Sequence, residues 1–272
     1  MLFLSRLPIT RFICYLLMGL AVVAVSAISV EEVSTRIYRR RAERLLHDLR
    51  QLQVGKSTFE DARAVIARYG GGVSRYDRTP CSPAHCTLDV GLKHYPFFIE
   101  HWPRYLSPGM QYRVLRVFPP LGLQDGWGGA AVRVDRGIVA GLSFAVFVRG
   151  SGGWVLGRNT VEGVAVPKNL QDRMGQRAYY LDWLNITTEG GGEWIEARLT
   201  PQANEEERNR AYDFDFDCLT RWGGCTSLCQ LSPAAFADYV KETGRMPWLD
   251  EHDPSCAKFK PLERNTNNAA HP

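Results

Sequence analysis

The sequence predicts an α+β fold: an N-terminal apolar helix and a stalk helix, then a mostly antiparallel sheet with helices at both ends. Nineteen consecutive uncharged residues lie near the N-terminus, amphipathic patterns flank the remaining chain, and short β-rich runs alternate with turn residues between them. Because no Pro- or Ser-rich linker divides the chain, we expect one domain over residues 31–256. Residues 1–30 would be a transmembrane or signal-anchor segment, and residues 257–272 a disordered tail.

The uncharged stretch extends from Phe12 to Val30, with the sequence FICYLLMGLAVVAVSAISV. At ~1.5 Å per residue it matches the ~30 Å hydrocarbon core of a bilayer, so we expect residues 12–30 to contact membrane lipid as a single-pass helix. Arg6 and Arg11 precede it, as in an export signal, and Val25-Ser26-Ala27 resembles a cleavage site. Secretion after cleavage near Ala27 is the alternative.

Six of the seven cysteines lie outside the apolar stretch, which contains Cys14; they are Cys81, Cys86, Cys218, Cys225, Cys229 and Cys256. An even number of closely spaced cysteines is typical of disulfides formed in an oxidising compartment. Of the cysteine spacings, only that of Cys225 and Cys229 fits a zinc site comfortably. We therefore expect disulfides, Cys81–Cys86 and two within the late group, with zinc ligation or free thiols as alternatives. Sequence does not choose among the three late pairings.

The charges and the cysteines predict opposite membrane topologies. Five arginines follow the apolar stretch and outnumber the basic residues before it, which by the positive-inside rule favours a cytoplasmic domain; they are Arg36, Arg39, Arg40, Arg41 and Arg44. The cysteine pattern and the acid-free leader favour export, and we expect the main domain outside the cytoplasm. The same arginines are candidates for contact with anionic lipid headgroups, or else form the solvated face of a helix.

These arginines belong to a basic juxtamembrane helix that we expect over residues 32–53. Its apolar residues recur at intervals of four and three, as on one face of a helix; they are Tyr38, Ala42, Leu45, Leu49 and Leu52. We expect this apolar face to pack on the domain. Pairing with another copy of the chain is the alternative, although two heptads are too short to define a coiled coil.

Gly55-Lys56-Ser57-Thr58 matches only the end of a phosphate-binding loop, because Arg50 occupies the position of the required earlier glycine and a helix precedes the segment. We instead expect Ser57 and Glu60 to form a capping box that begins a short helix ended by glycines 70–72.

The same segment carries a family resemblance. Leu-x-Val-Gly-Lys-Ser-Thr-x-x-Asp-Ala, followed by a short helix and glycine, is similar to the opening of SmpA/OmlA-type envelope proteins over about residues 45–72. That resemblance implies a small module of two helices and an antiparallel sheet that acts as an accessory binding part rather than an enzyme. The whole chain also resembles uncharacterised membrane-anchored bacterial proteins with a late Cys-Leu-Thr…Cys segment.

β-rich runs occupy the middle of the chain, at Tyr112–Val117, Ala130–Val134, Ile138–Val148, Trp154–Leu156, Val161–Val166, Tyr179–Ile186 and Trp194–Leu199. We expect hairpin turns at Asp135-Arg136-Gly137 and at residues 189–192. Ser143 lies inside such a run, which favours a strand residue over the nucleophile of a serine hydrolase.

Two helices are expected near the C-terminus, one starting at Glu205 and one capped by Ser232-Pro233 and ending near Lys241. Asp213, Asp215 and Asp217 alternate with two phenylalanines between them. Because the glycine and glutamate of a calcium-binding loop are missing, we expect the acids to face outward and the aromatic rings inward.

Charge and motif content limit the function. Arg6 and Arg11 supply two of the four net positive charges, so the remaining chain carries too little charge to predict nucleic-acid binding. We expect no cofactor and no metal. We expect a non-catalytic binding or envelope-structural module whose partner is an envelope protein, a lipid or a cell-wall component. The alternative is an extracytoplasmic hydrolase that uses His94, His101, His252, Asp213 or Asp217, although no zinc-protease spacing is present.

Overall fold

One unbroken helix opens the folded chain. The computed structural model describes residues 7–75, 80–94, 126–150, 153–162, 177–186, 190–199, 203–221, 224–247 and 251–260. Helix α1, Leu7–Gln51, has 45 residues and contains both the apolar stretch and the basic helix expected separately over residues 32–53. The two merge because the chain from Leu20 to Gln51 contains neither Gly nor Pro to interrupt a helix.

The surroundings of α1 change along its length. Residues 11–30 are exposed apart from the half-buried Ala27, whereas the helix is buried on one side from Glu31 onward. The predicted apolar face is confirmed, since its members are all at most 6% exposed: Tyr38, Ala42, Leu45, Leu49 and Leu52. This face packs on the domain, against helix α2 (Phe59–Arg68), the strand His85–His94 and the 3₁₀ turn Phe216–Thr220.

Within the described residues, the sheet has seven strands: β1 Gly72–Val73, β2 His85–His94, β3 Gly126–Asp135, β4 Ile138–Gly150, β5 Gly153–Glu162, β6 Arg177–Ile186 and β7 Gly190–Leu199. Their order is β1-β2-β3-β4-β5-β7-β6, and only the β5–β7 pair is parallel. The prediction of a mixed helix-and-strand fold with a mostly antiparallel sheet is therefore confirmed. Buried residues alternate along β2, at Cys86, Leu88, Val90 and Leu92, so one face of the sheet carries the core.

The predicted turn between β3 and β4 is confirmed. Arg136 and Gly137 both have positive φ, 53° and 78°, as in the type I′ turns whose twist suits a two-residue hairpin. The second predicted turn is wrong in position, because Gly190, Gly191 and Gly192 lie inside β7 and pair with β6. The expected runs Trp154–Leu156 and Val161–Val166 contribute to one strand, β5; Tyr112–Val117 and residues 163–166 lie outside the described residues.

Helix α2, Phe59–Arg68, begins one residue later than the sequence predicted. Thr58, not Ser57, is the N-cap: the Asp61 backbone N–H donates to Thr58 Oγ1 (3.3 Å), and the Thr58 backbone N–H donates to Asp61 Oδ2 (2.8 Å). Ser57 Oγ instead accepts a hydrogen bond from the backbone N–H of Gln53. Gly70, at φ 81°, follows the end of the helix as expected.

The C-terminal part adds α3 Glu205–Ala211, a 3₁₀ turn Phe216–Thr220, α4 Leu228–Leu231, α5 Pro233–Thr243 and a 3₁₀ turn Pro254–Phe259. The rings of Phe214 and Phe216 lie against Phe144 of β4, so the predicted inward orientation of these aromatics is confirmed. The domain was expected to end at Cys256, but the last 3₁₀ turn extends to Phe259. The ring of Phe259 packs against Phe236 of α5.

Candidate functional site

The N-terminal half of α1 is the most exposed apolar surface among the described residues. Its exposed large side chains include Phe12, Leu16, Leu20, Val23 and Val30. The helix is long and apolar enough to cross a membrane, a property that export signals share.

A buried polar junction lies directly after this apolar stretch. Glu31 and Thr35 are the first two buried positions on the domain side of α1, at 2% and 4% exposure. They lie seven and three residues before Tyr38, so they continue its buried face with polar side chains. The sequence reading missed them because it followed apolar residues alone.

His94, at the end of β2, completes this junction. Thr35 Oγ1 lies 2.9 Å from His94 Nε2 and 2.9 Å from the Glu31 carbonyl oxygen, while Ser34 Oγ lies 3.3 Å from His94 Nδ1. Since the single hydroxyl hydrogen of Thr35 is donated to the carbonyl, we infer that Nε2–H donates to Thr35 and that Nδ1 accepts from Ser34. The ring also stacks on Tyr38, with centroids 5.6 Å apart.

Burial lowers the pKa of His94 from 6.5 to about 4, so the ring is neutral near neutral pH. Both ring nitrogens are engaged by hydroxyl groups of α1. This histidine therefore holds the part of α1 that follows the apolar stretch on the sheet.

The five arginines predicted for membrane contact differ in their surroundings. Arg39 is drawn into the protein, where it forms ion pairs with Glu43 (2.7 Å) and Asp217 and donates to Thr220 Oγ1 (3.0 Å). The others are exposed on the helix: Arg36 pairs with Glu32, Arg41 donates to the Tyr69 carbonyl, and Arg40 and Arg44 are the remaining two.

The six cysteines outside α1 form three disulfides, Cys81–Cys86, Cys218–Cys225 and Cys229–Cys256. The first closes a tight loop at the start of β2. Cys218–Cys225 joins the 3₁₀ turn Phe216–Thr220 to the segment before α4, and Cys229–Cys256 joins α4 to the last 3₁₀ turn. Cys14 is the free cysteine among the described residues. This pairing fits the disulfide prediction and selects one of the three late connectivities.

A cleft of about 600 Å³ lies where the C-terminal end of α1 meets α3 and β4. Its walls include His47, Arg50, Gln53, Leu142, Arg208 and Tyr212. Arg50 donates to the carbonyls of Asn209 and Tyr212 near the end of α3, so this cation also holds that helix end. The volume lies within the range of small-molecule and peptide sites, and its walls are mixed polar and apolar.

The candidate catalytic residues do not form a site among the described residues. His94 is buried against α1, Asp217 pairs with Arg39, Asp213 and His252 are exposed, and His101 lies outside the described residues. Within the part of the chain that the structure describes, no three His, Cys, Asp or Glu side chains are grouped to hold a metal ion. Ser143 lies in β4 and donates to the Ala131 carbonyl across the sheet.

Comparisons of the chain with protein-family models, with curated proteins and with solved structures find no match. The similarity of residues 45–72 to SmpA/OmlA-type proteins therefore stays a prediction. What the chain does must be inferred from α1, the junction at its middle, the disulfides and the cleft.

Proposed function

We propose that this chain is a single-pass membrane protein whose domain lies outside the cytoplasm and acts as a non-catalytic binding or envelope-structural module. The observation that carries the proposal is the continuity of α1. The same helix is exposed through residues 11–30, apart from the half-buried Ala27, and is then buried on one side against the domain. An exposed apolar helix of this length is stable in lipid and costly in water.

The disulfides support an extracytoplasmic location. All six cysteines beyond α1 are paired, and five of them are buried, the exception being the half-buried Cys81. Disulfides persist in oxidising compartments and are rare where thiols are kept reduced.

The cleft supports a binding role. It lies at the end of α1 that is far from the apolar stretch. Its lining combines Arg50, Arg208 and His47 with one acid, Glu205, and with the apolar Leu142. Such a surface suits a partner that carries both an anionic and an apolar group. We propose that an envelope protein or a cell-wall component occupies it, in keeping with the accessory role that the SmpA/OmlA resemblance implies.

Membrane extraction tests the anchor. We expect the chain to stay in the membrane fraction after alkaline carbonate washing, and its intact mass to include residues 1–30. A soluble chain that begins after Ala27 would contradict the anchor and support secretion. Release of the full-length chain by carbonate would show that it is only peripherally bound.

Photo-crosslinking in cells tests the binding role. A probe at Gln53, in the cleft wall, is expected to give one defined adduct with an envelope component. The matched control is a probe at the exposed Lys241 on α5, which should give none. Equal labelling from both positions, or none from either, would contradict a specific partner at the cleft.

A further inference from the structure

The strands of the sheet run alongside α1. Near the middle of the helix, a Cβ added to Gly126 would lie 3.3 Å from Cε1 of Tyr38. Just beyond its C-terminal end, the Gly55 N–H donates to the carbonyl of Val139, which faces Val134 at the other end of the β3–β4 pair. The helix from Tyr38 to Gln51 is about 20 Å long, and the strand segment from Gly126 to Val134 beside it is about 26 Å long. The ends of β2, β3 and β4 at His94, Gly126 and Val148 therefore point toward the apolar half of α1.

These strand ends lie close to the height at which the apolar stretch ends. Thr35, which contacts His94, comes five residues after Val30, or about 7.5 Å along the helix axis. The headgroup layer on each side of a bilayer is roughly 5–8 Å thick. A helix that places residues 12–30 in hydrocarbon would therefore hold the strand ends at headgroup level.

The residues at this end have the chemistry of a membrane interface. Lys93, Trp127 and Phe147 are directly opposite one another on β2, β3 and β4, on the face away from the core. Lys93 is exposed, and the half-buried rings of Trp127 and Phe147 meet edge to face at 4.6 Å. Tryptophan is enriched at bilayer interfaces, and lysine reaches from apolar surface to the charged headgroups.

The exposed side of α1 carries a similar combination at the same height. Val33 and Ile37 are 57% and 55% exposed, although they lie beyond the uncharged stretch. The exposed Arg36 and Arg40 lie beside them. Apolar side chains and cations thus surround the chain where it would leave the hydrocarbon.

We propose that the row formed by Lys93, Trp127 and Phe147 contacts the headgroup layer of the bilayer that holds α1, so that the sheet stands on the membrane with its strands upright. The partner is a phospholipid surface containing anionic lipid, because Lys93 and Arg40 would meet it, together with Arg36, whose charge is shared with Glu32. The inference rests on the proposed anchor. It adds that the domain is docked on the membrane rather than held away from it.

Spin-label accessibility tests this docking with the full-length chain in nanodiscs of phosphatidylethanolamine and phosphatidylglycerol. In a Cys14→Ser background, single labels are placed through Lys93→Cys, Arg133→Cys and Leu20→Cys. Arg133 is the matched control, because it is exposed on the same face about 20 Å from the level of Lys93 along the strands. Thiol titration without reductant first establishes that each variant keeps its three disulfides.

The ratio of collisions with oxygen to collisions with a water-soluble nickel chelate should be highest at position 20, intermediate at 93 and lowest at 133. A ratio at 93 equal to that at 133, with a high ratio at 20, would overturn the docking and leave the anchor intact. Low ratios at all three positions would overturn the anchor as well. Protection of position 93 from both reagents would mean that protein, not lipid, covers this row, and would also overturn the proposal.

Discussion

Gly71 is the residue where the link between α2 and β1 passes closest to the sheet. A Cβ there would lie 2.6 Å from Val90 Cβ and 2.7 Å from Ile66 Cγ2, and closer still to the backbone carbonyl of Asp89. Because backbone atoms cannot rotate away, we expect Gly71→Ala to lower the free energy of unfolding by about 1–3 kcal/mol, as overpacking does. Urea denaturation measures this change.

Gly72 provides the control. A Cβ at Gly72 would meet nothing within 4 Å, and its backbone φ is not positive. We expect Gly72→Ala to change the free energy of unfolding by less than about 0.5 kcal/mol. If both variants lost the same free energy of unfolding, the contact of position 71 with β2 would not be the reason that a side chain is destabilising there.

His94 makes stability depend on pH. Its pKa is about 4 in the folded chain and 6.5 ordinarily, so between these values the unfolded chain binds more protons. The free energy of unfolding must then fall as the pH is lowered from 6.5 to 4, by on the order of 2–3 kcal/mol. We expect His94→Gln to remove this part of the slope in urea titrations across that range.

A His94→Gln variant that keeps the full slope would show that other groups, and not the junction with Ser34 and Thr35, are responsible.

The start of α2 shows how neighbouring elements decide a helix boundary. The sequence predicted the box Ser57-x-x-Glu60, because glutamate is a usual last residue of a capping box, whereas the structure forms it from Thr58 and Asp61. The β3–β4 turn decides: Thr58 bridges to Ile138, and the backbone N–H of Phe59 donates to the Gly137 carbonyl (3.1 Å). These contacts fix the extended backbone at Thr58, so Thr58 becomes the N-cap residue of α2.

We therefore expect Thr58→Ala and Asp61→Ala each to cost about 1 kcal/mol in the free energy of unfolding. Glu60→Ala should change it by less than about 0.5 kcal/mol, since Glu60 is exposed and outside the observed box. Chemical denaturation of the three variants checks this, and a larger loss from Glu60→Ala than from Asp61→Ala would restore the original assignment.

The disulfides differ in how much chain they close. Cys229–Cys256 spans 27 residues, and Cys81–Cys86 spans 5. By the chain-entropy relation, replacing the first pair with alanines should cost about 3–4 kcal/mol and replacing the second about 2 kcal/mol. Thermal unfolding of the two double variants checks the order. A reversed order would mean that native packing, rather than loop closure, sets the contribution of each bond.

For the whole molecule, local patterns in the sequence predicted the local structure well. The spacing of Tyr38, Ala42 and Leu45 predicted the buried face of α1, and Asp135-Arg136-Gly137 predicted the β3–β4 turn. Each of these two features involves residues only a few positions apart. The local geometry of a helix or a turn therefore indicates which residues share a face or reverse the chain.

Features that join distant parts of the chain were not predictable. The parallel pairing of β5 with β7 and the choice of Cys229–Cys256 over the other late pairings depend on how elements pack. The contact of Thr35 with His94, 59 residues away, has no signal in the sequence beyond the position of Thr35 on the buried side of α1. Of the three features from which the function is inferred, the sequence thus predicted the apolar stretch. It predicted neither the buried polar junction nor the cleft.

Thiol labelling across the membrane is the most direct test of whether α1 holds a disulfide-bonded domain outside the cytoplasm. In spheroplasts that express the Cys14→Ser variant, a membrane-impermeant maleimide should label nothing. After lysis into denaturant it should still label nothing without reductant, and all six remaining cysteines with it. Six thiols that react without reductant, and only after the cells are lysed, would place a reduced domain in the cytoplasm and contradict the account.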